Sequence, residues 1–261
     1  MKNKKITSLL VSNESQFNRT SNLSSEISAK LANHHLTSNL FQYHSKRVTS
    51  NQNGLHKNLD VIVNKHIYHP YQRPIRQHNI VAFNLLYEKF SIGKLPQIIL
   101  DSCCGTAMST IALAEKNPDA LVVGVDQSIY RLSKNRQSTL LPENCLLIQA
   151  NCEDIWRLSV EYQLPITHHY IYYPNPWPKS VHLKRRWHGH PVFPYLQPLA
   201  KHTILRSNWL LYLAEFARAW ELLTGLLFAV NEVSVIEPVT LFEKKYVNSG
   251  QAAYELVLSS S

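Results

Sequence analysis

Gln97-Ile-Ile-Leu-Asp-Ser-Cys-Cys-Gly-Thr-Ala-Met-Ser-Thr110 runs from a short apolar stretch through an acid and a small-residue turn into a helical pattern over Ser109–Glu115. A second unit follows, in which Leu121-Val-Val-Gly-Val-Asp126 leads to the helical pattern Ile129–Gln137. Further on, Cys145–Gln149 precedes Glu153–Val160, and Tyr170–Tyr173 precedes a Pro-rich loop. Thr203–Leu205 then precedes a helical stretch from Trp209 to Leu223. Short apolar runs alternating with helices are the pattern of a parallel sheet covered on both faces. One α/β domain with a doubly wound, mostly parallel sheet is therefore expected over residues 61–261. Before the first strand, Ile80, Phe83, Tyr87 and Phe90 predict one apolar stripe of a helix. Leu213, Phe216, Trp220 and Leu223 recur at helical spacing and are expected in the core.

The chain has 261 residues, with 27 Lys and Arg against 18 Asp and Glu, a formal charge of +9. Seven glycines exclude collagen-like and Gly-linker architectures. No apolar run reaches the roughly 18 residues a membrane-spanning helix needs. Four cysteines are too few for a disulfide scaffold, so a reduced, cytoplasmic protein is expected. The first 60 residues hold 10 Ser, 9 Asn and 8 basic against 3 acidic residues, which is +5 of the total charge. Such a segment buries little apolar surface, so residues 1–60 are expected to form a mobile basic arm. It lacks the apolar run of a secretory signal.

In doubly wound sheets ligands bind at the carboxyl ends of the strands. A dinucleotide turn there would carry three glycines. Here only Gly105 stands, with Cys103 and Ala107 at the other two places. Asp126 closes the second strand 25 residues after Asp101, where an acid can accept both hydroxyls of a ribose. Asp101 at the end of the first strand suits an ammonium and would repel a pyrophosphate. Together these point to S-adenosyl-L-methionine rather than a dinucleotide.

After the fourth strand comes Tyr172-Tyr-Pro-Asn-Pro-Trp-Pro-Lys-Ser-Val-His-Leu-Lys-Arg-Arg186. Three prolines hold this loop extended. Near the C-terminus stands Pro238-Val-Thr-Leu-Phe-Glu243, followed by Gly250 and Tyr254-Glu-Leu-Val-Leu258. The first segment resembles the PDPWxKxRHxKRR signature of the bacterial tRNA (guanine-N7)-methyltransferases, and the second resembles that family's TxxE segment. The resemblance runs from about Tyr71 to Leu258. It implies a class I methyltransferase (Rossmann-like) fold with a seven-stranded sheet, methyl transfer to N7 of guanine in tRNA, and a monomer or homodimer with no membrane partner.

Position by position, the resemblance implies cofactor contacts at Asp101, Gly105, Asp126, Asn151 and Cys152. Asn175 stands where the family has the acid of its PDPW segment and is the implied catalytic position. Lys179, Lys184, Arg185, Arg186, Asn208, Thr240 and Glu243 are the implied substrate contacts. Positions 151, 175 and 208 are Asn where the family often has Asp. Guanine N7 carries a free lone pair and needs no general base, so Asn175 is compatible with transfer. Glu243 could accept from N1–H and N2–H₂ of guanine together. Trp177 or Tyr173 could stack on the base; Trp177 could equally anchor the loop in the core.

Between Glu161 and Glu215 there is no acidic residue, while Lys179, Lys184, Arg185, Arg186, Lys201, Arg206 and six histidines fall in those 53 residues. A one-sign stretch of this kind is an expected phosphate footprint. His188-Gly-His190 is expected at the surface or on phosphate, and no metal site is expected. Two other function classes fit the same residues: a non-catalytic RNA-binding paralogue, and a methyltransferase with a different acceptor.

Overall fold

The computed structural model describes residues 45–136 and 141–260. Most of the expected arm, residues 1–44, lies outside the described residues. Residues 45–60, expected to belong to that arm, are part of the compact unit Ser45–Ser261. Residues 45–58 are held mainly by hydrogen bonds, with Val48 packed against the core, which composition cannot show. Ser45 bonds Ser249, Ser50 bonds Pro178, Asn51 bonds Ser180, and Gln52 bonds Glu215.

Two helices lead in, α1 (Leu59–Tyr68) and α2 (Gln77–Ile92). Then β1 (Gln97–Ser102), α3 (Met108–Lys116), β2 (Ala120–Asp126), α4 (Ile129–Arg136), β3 (Cys145–Gln149) and α5 (Cys152–Glu161) alternate. β4 (Ile166–Tyr172) is followed by the Pro loop and three 3₁₀ turns, Ser180–Arg185, Trp187–Gly189 and Phe193–Tyr195. The chain ends with α6 (Leu196–Leu199), β5 (His202–Ser207), α7 (Leu210–Thr224), β6 (Val230–Val233), α8 (Leu241–Asn248) and β7 (Ala253–Ser259).

The seven strands form one sheet in the order β3-β2-β1-β4-β5-β7-β6. The pairs among β1 to β5 are parallel, and β7 is antiparallel to both β5 and β6. The strand order reverses between β1 and β4, which puts the ligand crevice outside the carboxyl ends of those strands. All of β2 and nearly all of β1 are buried, as a sheet covered on both faces requires. Ile98 and Leu100 pack with α1, α5 and α7 on one face, and Ile99 packs with Ala107 and Ala114 on the other. Gly124 allows α3 its close approach: a Cβ there would lie 2.5 Å from Thr110 Oγ1.

Local differences from the sequence reading have physical causes. The buried face of α2 is Asn79, Ala82, Phe83 and Leu86, while Tyr87 turns outward against Tyr162. The face is set by Asn79, which bonds Asp154 and Asn151 in the interior. β4 begins four residues earlier than its apolar run because His169 is an interior residue, with Nε2 2.8 Å from Ser102 Oγ. Burial pushes its imidazole down to about 3, so it is neutral and no part of a basic surface. The stripe Leu213, Phe216 and Trp220 is buried as expected.

Candidate active site

The turn after β1 keeps a glycine-type backbone without the glycines. Cys103, Gly105 and Ala107 have φ of 61°, 59° and 64°. The left-handed region costs a non-glycine residue roughly 1–2 kcal/mol, so the surrounding fold imposes this turn. A Cβ on Gly105 would meet nothing within 4 Å, which leaves that face of the turn open. Beneath it, Asp101 is buried and its Oδ2 accepts from Ser109 Oγ at 2.6 Å and Thr110 Oγ1 at 2.7 Å. Its Oδ1 has no hydrogen-bond partner among the described residues. Burial, with the nearby Asp126 adding to it, pushes the Asp101 carboxyl up to about 6. Asp126 accepts from Gly105 N–H at 3.0 Å and Ser128 N–H at 2.8 Å, with Arg131 3.4 Å away.

At the end of β3, Asn151 Oδ1 accepts from Arg76 Nη1 and Asn79 Nδ2, and its N–H donates to Asn79 Oδ1 at 3.0 Å. Cys152 opens α5, and its sulfur lies 3.7 Å from that of Cys103. This donor set fits an adenosyl amino acid: two strand-end carboxylates, one with an orphaned oxygen able to take an ammonium proton, beside an open turn. Among the described residues no group of three or more His, Cys, Asp or Glu is arranged to hold a metal.

The Pro loop leaves β4 through Tyr173 and Trp177, both left-handed, with φ of 49° and 46°. Arg186 fixes this shape, with Nε and Nη2 each donating to Trp177 O at 3.1 Å. From the N-terminal side, Ser50 Oγ donates to Pro178 O at 2.6 Å. Asn175 lies exposed on the loop, with Lys179, Lys184 and Arg185 also exposed beside it. The Arg185 guanidinium covers the Trp177 ring at 4.7 Å, so this tryptophan is half-buried and no core anchor.

Two expected substrate contacts require correction. Arg186 is fully buried: Nη1 bonds Glu215 and Nη2 donates to Gln52 Oε1 at 2.7 Å. It positions the loop and cannot reach a phosphate. Glu243 is also fully buried. Its Oε2 accepts Val239 N–H at 2.7 Å, and its Oε1 accepts from Tyr173 OH and Arg206 Nη1, both at 3.2 Å. Its own N–H bonds Thr240 Oγ1 at 2.9 Å, so the Thr240–Glu243 pair caps α8. It presents no free carboxylate to a guanine edge. Asn208 Nδ2 donates to Gln251 Oε1 at 2.8 Å, and Gln251 in turn holds Ser45.

His188 is likewise interior, with Nε2 2.9 Å from Glu215 Oε2. Burial outweighs the carboxylate and pushes its imidazole down, so His188 is a neutral donor and Arg186 is the charge partner. Burial opposes ionisation of Glu215, yet His188 and Arg186 hold its carboxyl down to about 2. Glu215 and Gln52 are the working residues that the sequence reading missed. An acid inside the apolar run Trp209–Trp220 was the available signal for Glu215; for Gln52 there was none.

Residues 96–256 match the Methyltransf_4 family model, described as "Putative methyltransferase". The tRNA (guanine-N(7)-)-methyltransferase of Mycobacterium ulcerans (strain Agy99) is 26% identical over 193 residues, 63% of each chain. That of Treponema pallidum (strain Nichols) is 30% identical over 169 residues, 61% of this chain and 65% of the relative. The chain thus spans somewhat less than two thirds of the length of these relatives. Among solved structures, one titled "Structure of an antibiotic related Methyltransferase" superposes with a TM-score of 0.51 at 16% identity, covering 68% of this chain and 94% of the other. A 16S rRNA (adenine(1408)-N(1))-methyltransferase from Catenulisporales acidiphilia, solved with cosubstrate SAM, gives 0.50 at 15%, covering 68% and 91%. At these identities the superpositions speak for the fold alone. With the sheet order, the strand-end acids and a family match over most of the domain in agreement, the chain belongs to the Methyltransf_4 methyltransferase family.

Proposed function

We propose that the chain transfers a methyl group from S-adenosyl-L-methionine to N7 of a guanine in tRNA. The observation that carries this reading is the Pro loop Tyr173–Lys179. It is fixed at the carboxyl end of β4, next to the acid-bearing turn after β1, and edged by exposed Lys179, Lys184 and Arg185. The tRNA (guanine-N(7)-)-methyltransferase relatives support the acceptor atom.

When bound, the cofactor supplies an electrophilic methyl on a sulfonium. The rest of the work is holding. Asp101 offers its unpartnered Oδ1 to an ammonium, and Asp126 offers carboxylate oxygens to ribose hydroxyls. Asn151 and Cys152 close the adenine side. Guanine N7 attacks in line through its own lone pair, so no residue has to remove a proton first. The base becomes cationic, and the Asn175 side-chain oxygen faces that charge as a dipole. Lys179, Lys184 and Arg185 take the RNA phosphates. Glu243 positions Tyr173 and Arg206 at the acceptor wall. A cytoplasmic location follows from that substrate.

The retained left-handed geometry at Cys103 and Ala107 favours a working cofactor turn over a binding-only paralogue. Incubation with labelled S-adenosyl-L-methionine and unmodified tRNA, followed by nucleoside digestion, is expected to give labelled 7-methylguanosine. Label in another nucleoside would change the acceptor. Label in none would overturn the activity.

A further inference from the structure

Cys103 and Cys152 are far apart in sequence, yet their sulfurs lie 3.7 Å apart. Cys103 sits partly exposed in the left-handed turn after β1, and Cys152 is buried at the start of α5. All four cysteines are free thiols. Cys104 and Cys145 belong to the core on the opposite face of the sheet, whereas Cys103 packs on the face that holds Cys152. The pair therefore joins the two segments that frame the proposed cofactor cleft. Methyl transfer needs no thiol chemistry from either residue, and at position 103 the backbone favours glycine over any side chain.

We propose that Cys103 and Cys152 form a reversible disulfide when the protein meets a peroxide, and that this bond lowers the affinity for S-adenosyl-L-methionine. The second half rests on the cofactor reading above. The partly exposed Cys103 sulfur meets the oxidant first. Its thiolate attacks one peroxide oxygen, the O–O bond breaks, and a sulfenic acid and one water result. The Cys152 sulfur then attacks the Cys103 sulfur; the S–S bond forms, the S–O bond breaks, and the hydroxyl leaves with the Cys152 proton as the second water. Two thiols and one hydrogen peroxide thus give one disulfide and two waters. Contact with Cys103, with burial behind it, pushes the Cys152 thiol up, so Cys152 keeps its proton until that step.

Bond formation brings the sulfurs from 3.7 Å to about 2.05 Å. That movement pulls the turn toward α5. Gly105, whose N–H holds Asp126, lies two residues further along the same turn. Packed segments on both sides make the two geometries distinct states rather than a continuum.

The test uses the full reduced chain, treated with hydrogen peroxide, alkylated, digested and mapped by mass spectrometry. The expected result is a Cys103–Cys152 cross-linked peptide, the loss of two of four titratable thiols, and full reversal by dithiothreitol. Cys152→Ser should instead accumulate a Cys103 sulfenic acid that dimedone traps. A Cys103–Cys104 link, or Cys103 sulfinic acid with no cross-link, would overturn the disulfide. Calorimetry on the wild-type chain should show at least tenfold weaker S-adenosyl-L-methionine binding after oxidation, restored by dithiothreitol. Equal affinity in both states would overturn the effect on binding. No binding by the reduced chain would instead sink the cofactor reading and the affinity effect, while the peptide map still decides the bond.

Discussion

Arg186 and Glu215 meet as a fully buried ion pair, and the same guanidinium holds the carbonyl of Trp177 in the Pro loop. The charge that looked free to bind phosphate is spent inside the fold, shaping the segment beside the proposed acceptor site. Neutral His188, Gln52 and the His56 N–H complete the shell around Glu215.

Removing one partner leaves the other charge buried and unpaired, at a cost of about 3–5 kcal/mol. Arg186→Met is therefore expected to lower the melting temperature by roughly 10 °C for a domain of this size. Arg186→Met with Glu215→Leu should recover more than half of that loss. A double-mutant cycle by thermal denaturation measures the coupling, and additive effects would contradict the pairing.

Asp101 gives a pH signature. Its carboxyl lies near 6 in the fold against an ordinary 3.8, so the fold disfavours its charged form. The stability it contributes is complete below pH 3.8 and is lost as pH rises through 6, about 3 kcal/mol in all. Asp101→Asn is expected to melt higher than wild type at pH 8, with the difference gone below about pH 4. Thermal melts across that range decide it, and an equal difference at both ends would refute the shift.

Position 107 should respond to glycine differently from position 114. Ala107 is left-handed, with φ 64°, whereas Ala114 lies inside α3. Ala107→Gly relieves the left-handed cost while adding unfolded-state entropy, so it should change stability by less than about 1 kcal/mol. Ala114→Gly should cost about 1 kcal/mol or more. Urea unfolding of both variants makes the comparison, and equal losses would mean that the turn is unstrained.

Asn175 is exposed on the loop. If its oxygen faces the developing cation, Asn175→Asp should raise kcat on tRNA at least threefold with KM held, because a full negative charge replaces a dipole. Steady-state kinetics with unmodified tRNA measure the split. An unchanged kcat would remove the charge-stabilising role.

β1 to β5 and the location of the turn and the Pro loop were legible in the residues, because periodicity and breaker residues act locally. By contrast β6, Val230–Val233, is short and half-exposed, and its own residues form no apolar run to read. Asp126 ends β2 as expected, and Asp101 is the penultimate residue of β1, which runs on to Ser102. The roles of individual charges were not legible. Arg185 and Arg186 are chemically identical neighbours, yet one is exposed on Trp177 and the other is sealed against Glu215.

By itself the sequence determined a parallel-core α/β chain with a small-residue turn after its first strand and a Pro-stiffened loop after its fourth. Those features depend on side-chain spacing and on residues that fix the backbone. Only the tertiary structure decided that Arg186, His188 and Glu243 face inward, that residues 45–58 strap the loop, and that two distant cysteines touch. Which charges remain in water, and which thiols meet, depends on desolvation and contact between segments far apart along the chain, and spacing along a single segment carries no record of either.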